Sequence, residues 1–312
     1  MNQYEHLKAH QVQFLALTGL KLNEFEALLP YFQAAYAECY PKQFNWNGEI
    51  RQRAAGAGGK DALASIEEKL EFILSYTKTY PLQAVQGTRY KRSQAWANKW
   101  IDRLTPVLNL ALERCGVMPS RKGEDFALSE TDEVSSEYMI DATARERERP
   151  QDYEAQKAHY NGKAHAHTDK NLVLINAEDN WVTFLGPTEV GSKHDKKMAD
   201  EACIVYPAHS VLIQDTGFQA YKPAGVCTYE PSKKPRGKPM PPEMKEINHF
   251  LSGIRVRVEH AIAGIKRCRI LKDVLRLKRE YFSDMVMAIA CALHNFRTLF
   301  RNPFSMRTLA KI

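Results

Sequence analysis

Three acids in this chain occupy places where an acid needs a reason. Asp141 closes the apolar run "SEYMIDAT" and is followed by the basic tract "ARERERP". Asp215 closes "SVLIQD", just before Thr216 and Gly217, where the chain must turn. Glu259 is the one glutamate of "GIRVRVEHAIAGIKRCRI", Gly253 to Ile270, a segment otherwise crowded with arginine and lysine. Carboxylates a few ångströms apart repel each other and stay ionised at neutral pH only with a cation between them. Hard oxygen donors with no neighbouring cysteine ligands suit Mg²⁺ or Mn²⁺ rather than zinc. Two such ions roughly 4 Å apart activate an attacking oxygen and stabilise a leaving oxygen at phosphorus. A site of that kind needs a third carboxylate on the far side of the metals, and Glu259 is the candidate. From the residues alone, strand-end caps and a surface ion pair are the plainer account of these acids.

The charge pattern narrows the chemistry. The net charge is +7, and from Leu251 to Glu280 nine Lys/Arg face three acids, so this one segment carries nearly the whole excess. Positive charge of that density favours a polyanion, either nucleic acid or an anionic membrane. In the helix, Ile254, Val258, Ala261, Ile262 and Ile265 form an apolar stripe with Glu259 at its border. Arg255, Arg257, Lys266, Arg267 and Arg269 are expected on the DNA backbone; a solvated helix face is the plainer reading of the same charges. His167 and His260 could touch phosphate or orient a water, but a lone histidine more often satisfies a local hydrogen bond, so neither is counted as catalytic.

The six cysteines stand singly, with no CxxC pair, and read as reduced thiols of a cytosolic protein. Met1 to His10 lacks an apolar signal core, and the longest apolar run, Met285 to Leu293, is too short to span a bilayer. A cytoplasmic protein with no membrane partner is expected.

The elements that must position the acids fall into two groups. Up to about residue 120 the pattern is helical. Leu22, Phe25, Leu28, Leu29 and Phe32 lie on one helix face, and a Gly/Ala-rich connector follows at 52–65. Helices are predicted over 66–79, from Pro81 to Gly87, and from an N-cap at Ser93 to about Leu112 with a bend at Pro106. Gly87 is expected to end its helix with a positive φ. Helix, short helix, turn and longer helix is the helix-turn-helix order. The last helix buries Trp96, Ala97, Trp100, Ile101 and Leu104. Its other side offers Gln94, Asn98 and Lys99, with Lys91 and Arg92 just before, which suits a recognition helix in DNA. A plain three-helix unit with a solvated face fits as well.

Residues 119–133 read as a polar linker. Beyond it come short runs rich in Val, Ile, Leu and aromatics at 136–143, 170–177, 181–187 and 210–215. Ala177 to Asn180 turns two of them into an antiparallel pair. A short helix in "GSKHDKKMADEA" precedes the last strand, and a long helix follows it. That order predicts an α/β domain with a mixed sheet over 121–312, carrying an exposed basic loop at 222–245.

"YMIDAT", "GKAHAHTDKNLVL", "IQDTGFQAY" and "RVRVEHAIAGIKRCRIL", in this order, resemble the DDE transposases of bacterial insertion-sequence family five, relatives of the PIF/Harbinger group. The likeness runs from about Phe14 to Phe300. It implies an RNase H-like mixed sheet flanked by helices, preceded by an all-α helix-turn-helix DNA-binding domain over 1–120. It implies Asp141, Asp215 and Glu259 as catalytic and metal-binding residues holding two Mg²⁺ ions, with Mn²⁺ as a substitute. It implies cleavage of double-stranded DNA at terminal inverted repeats, then attack of the freed 3′-OH on target DNA, by a homodimer or larger assembly associated with the nucleoid when on DNA. Relatives often carry an acid three residues after the first aspartate; here Ala144 stands there. Two other readings compete: a transposase-derived DNA-binding regulator without catalysis, and a non-mobile RNase H-like nuclease that cuts without joining.

Overall fold

Residues 3–43, 49–50, 63–129, 137–234, 237, 239–277, 279, 281–302 and 307–310 are described in a computed structural model. Most of the expected connector, 52–62, lies outside them. The chain divides into two compact units: Met1–Met118 with Arg267–Ile270 and Leu309–Ile312, and Pro119–Lys266 with Leu271–Thr308.

The first unit holds α1 (Gln3–Lys8), α2 (Gln11–Thr18), α3 (Leu22–Cys39), α4 (Ile66–Thr79), α5 (Gln83–Arg89) and α6 (Gln94–Arg114). The start of α4 is written locally: the Ser65 hydroxyl accepts from the Glu68 N–H and the Glu68 carboxylate accepts from the Ser65 N–H, so two end donors are satisfied at once. Ser93 opens α6 by accepting from the Trp96 N–H. Pro106 is carried inside α6, which continues to Arg114. Phe25, Leu28 and Phe32 from α3 join Ala97, Trp100, Ile101 and Leu104 from α6 in the core. Trp96 stands edge-on to Phe72.

Gly87 differs from expectation. It lies inside α5, and the residue with positive φ in the turn is Lys91, at 57°. Glycine is needed at 87 for closeness: a Cβ there would stand 2.6 Å from the Ser93 carbonyl oxygen. The chain entering α6 therefore crosses directly over α5.

The second unit holds α7 (Phe126–Ser129), β1 (Glu137–Glu146), α8 (Tyr153–His159), β2 (Tyr160–Asn161), β3 (Ala166–Asn176), β4 (Val182–Leu185), β5 (Glu189–Val190), α9 (Asp195–Glu201), β6 (Val211–Ile213), β7 (Cys227–Tyr229), α10 (Pro242–Ile265), α11 (Arg269–Lys272, which straddles the boundary between the units) and α12 (Phe282–Arg301). The sheet runs β2-β3-β1-β6-β7, with β4 and β5 pairing with β3. Strands β1, β3 and β4 are antiparallel, whereas β6 and β7 run parallel to β1. A mixed sheet in this order, flanked by helices, is compatible with an RNase H-like fold.

Side chains alternate across the sheet. On one face Tyr138, Ile140, Leu172, Leu174, Phe184 and Leu212 pack with Met198 and Ala199 of α9. The opposite face carries Met139, Val173, Ile175 and Ile213, and α10 and α12 pack on that side. The stretch read as a linker is partly core: Phe126 of α7 is fully buried in the first cluster, and Ser120 pairs with Phe184. Its polar composition hid one well-placed aromatic. The basic loop at 222–245 contains β7, which extends the sheet, and the long helix begins at Pro242, where a missing N–H costs nothing. That helix ends at Ile265, inside the basic segment that runs on to Ile270.

Candidate active site

Register places the two aspartates together. Met139 of β1 lies beside Ile213 of β6 in a parallel pair, and Asp141 and Asp215 each follow two residues later. Two residues return a strand to the same face, so both carboxylates emerge on the side where α10 packs. Gln214, between Ile213 and Asp215, points the other way and donates to the Phe218 and Tyr221 carbonyls. The short 3₁₀ turn that follows, Thr216–Phe218, holds the second acid: Asp215 Oδ1 accepts from the Thr216 N–H at 2.6 Å.

The electrostatics are those of a pair short of positive charge. Burial pushes Asp141 up from its ordinary 3.8 to about 6. The neighbouring charges of Asp215 and Asp195 add to that rise, against the Ala142 N–H and Arg255, which favour the ionised form. The Ala142 N–H reaches Asp141 Oδ1 at 2.8 Å. From α10, Arg255 meets Asp215 Oδ2 at 3.1 Å. Three turns along the same helix, Lys266 donates to the Ala144 carbonyl at 3.2 Å. Burial lowers the pKa of Lys266, with Asp141 acting in the opposite sense.

Asp195, at the start of α9, was not legible as part of this site. Its carboxylate accepts from Lys170 Nζ at 2.8 Å, and its other oxygen lies 2.9 Å from where a Cβ on Gly217 would stand. Asp195 thus lies against the turn that carries Asp215, and its pair with Lys170 braces that turn. Nothing in the local sequence around Asp195 announces this, because the contact joins β3, α9 and the turn after β6.

Glu259 is exposed on α10. Arg255, Glu259, Ile262 and Lys266 follow at helical spacing on one stripe, so Glu259 stands between the two cations that reach the aspartates' neighbourhood. Among the described residues no three His, Cys, Asp or Glu side chains gather into a group able to hold a metal ion. Asp141 and Asp215 are brought together; Glu259 is placed on the facing helix, outside that cluster. The oxygen donors of the two aspartates fit a divalent cation, since one bound there would relieve the burial cost of the Asp141 charge.

Of the remaining predicted contacts, Arg257 donates to the Ala177 carbonyl at 2.9 Å. In the first unit, the Arg267 carbonyl accepts from Lys78 Nζ. Lys91, Arg92, Gln94 and Lys99 are exposed together around the start of α6, and Arg267 and Arg269 are exposed as well. Asn98 is half-buried, with its amide donating to Gln83 of α5. His167 stands edge-on to Tyr160, and His260 is exposed.

Residues 140–295, half of the chain and inclusive of all three acids, match the family model described as DDE superfamily endonuclease. The chain belongs to this family. Its members typically use divalent metal ions, in keeping with the oxygen donors at Asp141 and Asp215. Curated relatives of this DDE endonuclease include a protein of Microchaete diplosiphon named a transposase for insertion sequence element IS702, 25% identical over 217 residues, covering 70% of this chain and 75% of the relative. Another, from Streptomyces albus G, is named a transposase for insertion sequence element IS112 and is 24% identical over 271 residues, covering 85% and 94%. No solved structure matches the chain. Among the described residues no helix is long and apolar enough to cross a membrane.

The Asp141 environment gives this endonuclease a pH signature. A carboxyl whose folded pKa is raised binds its proton more tightly in the folded chain, so its contribution is fully present below the unfolded value near 4 and is lost as pH rises through about 6. The rise from 3.8 to about 6 corresponds to about 3 kcal/mol. In EDTA at pH 8, Asp141→Asn should therefore melt higher than wild type, and the difference should vanish below pH 4. Added Mg²⁺ or Mn²⁺ should raise the melting temperature of wild type but not of the variant. Thermal melts across pH, with and without metal, check both statements.

Proposed function

We propose that this DDE endonuclease is a transposase that cuts double-stranded DNA at the ends of an insertion sequence and joins the freed 3′-OH to target DNA. The observation that carries the reading is the pair of aspartates on parallel neighbours, Asp141 in the middle of β1, which continues to Glu146 past the end expected at Asp141, and Asp215 just after β6, inside the half of the chain that matches the DDE family. The names of the two relatives point the same way.

Asp141 and Asp215, with Glu259 from α10, would hold two divalent ions, Mg²⁺ or Mn²⁺, which when bound supply Lewis-acid polarisation of the scissile phosphate. The chain's own cations do the rest. Arg255 lies against Asp215 and offsets its charge, so that a phosphate can approach two acids. Lys266, half-buried beside Ala144, presents a second positive end on the same stripe. The water that attacks first and the 3′-OH that attacks second each meet phosphorus opposite the departing oxygen, and no protein–DNA bond forms.

Recognition of the terminal repeats is assigned to the first unit as a helix-turn-helix domain, with α6 as the reading helix. Lys91, Arg92 and Lys99 would lie on phosphates and Gln94 on a base edge. Asn98, already bonded to Gln83, would reach a base only by leaving α5. Arg267 and Arg269 are placed on backbone phosphates. On the likeness to insertion-sequence family five alone, the protein acts on the nucleoid as a synaptic assembly of two or more copies.

Glu259→Gln tests this directly, because it keeps the shape and removes the charge. With element-end DNA and Mg²⁺, wild type is expected to nick the strand while Glu259→Gln leaves it intact and binds within about twofold of wild type. Equal cleavage by both proteins would remove Glu259 from the metal site. Two inert proteins that both bind the DNA would sink the enzymatic reading.

A further inference from the structure

The first three turns of α10 carry an apolar face that the second unit leaves bare. Ile247, Phe250 and Ile254 continue, at spacings of three and four residues, the stripe that Val258, Ala261 and Ile265 bury further along the helix. Yet Ile247 is 55% exposed and Phe250 68%. Nothing lies within 4 Å of a Cβ built at Gly253, so the stripe also has a hollow beside its largest side chain. The turns are held independently of that face: Asn248, on another side of the helix, accepts from the Ser232 N–H and donates to the Ser232 carbonyl. A formed helix with a core-like stripe facing solvent is an interface signature rather than a packing accident.

The charges at the two ends of the stripe select the partner. Glu243, Ile247, Phe250, Ile254 and Arg257 recur at four, three, four and three residues, the spacing of a coiled-coil seam. The acid is at one end and the arginine at the other. A parallel copy would set Glu243 against Glu243 and Arg257 against Arg257. An antiparallel copy turned about Phe250 sets each Glu243 against the other chain's arginine, Ile247 beside the Gly253 hollow, and Phe250 against itself. DNA is a poor occupant, because Glu243 and Glu246 would face phosphates across apolar side chains.

We infer that this face of α10 pairs two copies of the chain, antiparallel and two-fold symmetric about Phe250. The contact is isologous, each copy giving and receiving the same side chains. Three turns of helix bury less than the roughly 1,200 Å² of a stable interface, so the free protein pairs weakly. The pairing involves neither metal nor DNA, so its failure would leave the cutting reading untouched.

Sedimentation equilibrium of the full chain, without DNA or metal, from about 1 to 100 µM tests it. Wild type should pass from monomer to dimer over that range. Phe250→Asp, at an exposed position that leaves the fold intact by circular dichroism, should weaken dimerisation at least tenfold. Glu243→Arg should weaken it too, and adding Arg257→Glu to that variant should restore it, because only antiparallel pairing brings these two positions together. Wild type that stays monomeric throughout, association unchanged by Phe250→Asp, or failure of the double reversal to restore dimers would each overturn the inference; the first would mean that the stripe is covered within a single chain.

Discussion

Asp141→Asn is expected to lower the rate of DNA strand cleavage by about 10³-fold or more, a loss of roughly 4 kcal/mol or more of transition-state stabilisation. Asparagine keeps the oxygen that accepts from the Ala142 N–H, so β1 and its register with β6 have no reason to change. What disappears is the negative charge that draws a divalent cation into the space beside Asp215. Asp215→Asn should be equally damaging, for it also breaks the pair with Arg255 and leaves that cation facing Asp141 alone. A single-turnover cleavage assay on end-labelled DNA measures both. The stability signature separates this from a folding defect, because Asp141→Asn should be the more thermostable protein in EDTA at pH 8 and the less active one in Mg²⁺. Asp195→Asn provides scale: it weakens the brace from Lys170 to the Asp215 turn and removes one negative charge near Asp141, and should cost about tenfold. Cleavage by Asp141→Asn within tenfold of wild type would remove the aspartate pair from the chemistry.

Asn295→Ala is expected to destabilise the second unit by about 2–4 kcal/mol, lowering its melting temperature by about 5–15 °C. Asn295 is fully buried on α12 and clamps one residue of β4 by both backbone groups, accepting from the Val182 N–H at 2.8 Å and donating to the Val182 carbonyl at 2.9 Å. The ladder between β3 and β4 is irregular at this point, with a register shift between Leu174 and Ile175. The side-chain amide does there what a neighbouring strand would otherwise do. Alanine takes away both partners and leaves a hollow under the sheet. Asn295→Asp sharpens the test: a carboxylate can accept from Val182 N–H but cannot donate to its carbonyl, whereas a protonated carboxyl can do both. That variant should be at least as unstable as Asn295→Ala at pH 7 and should recover relative to wild type toward pH 4. Thermal melts at the two pH values decide it, and a loss below 1 kcal/mol for alanine would mean that Val182 is satisfied from elsewhere.

Much of the fold was legible because its signals are local. The helix over 66–79, the N-cap at Ser93, the apolar run Tyr138 to Ile140, the turn at Ala177 to Asn180 and the 3.6-residue stripe of Val258, Ala261 and Ile265 each depend on residues within a few positions of one another. Elements were missed where the deciding partner is remote. Phe126 sits in a polar stretch that reads as linker, and only the aromatics Tyr138, Phe184 and Tyr206 around it make it core. β7 lies in a stretch rich in proline and lysine and forms a strand because β6 offers it a parallel edge. Gly87 was rightly singled out but for the wrong reason, since a close backbone approach leaves no mark on the glycine's own neighbours.

For the site, the sequence by itself determined the inventory: which acids go with apolar strands, that arginine and lysine crowd the helix bearing Glu259, and that oxygen donors without cysteine suit a hard divalent ion. Only the tertiary structure decided who meets whom. Parallel pairing of β1 with β6 puts Asp141 beside Asp215 across about 70 residues of intervening chain. Packing of α10 turns Arg255 and Lys266, read from sequence as phosphate contacts, inward onto Asp215 and Ala144. The same packing leaves Ile247 and Phe250 in solvent. Side-chain type is encoded at each position, but the electrostatic environment that sets a carboxylate's proton affinity is a sum over neighbours, and those neighbours exist only once the chain has folded.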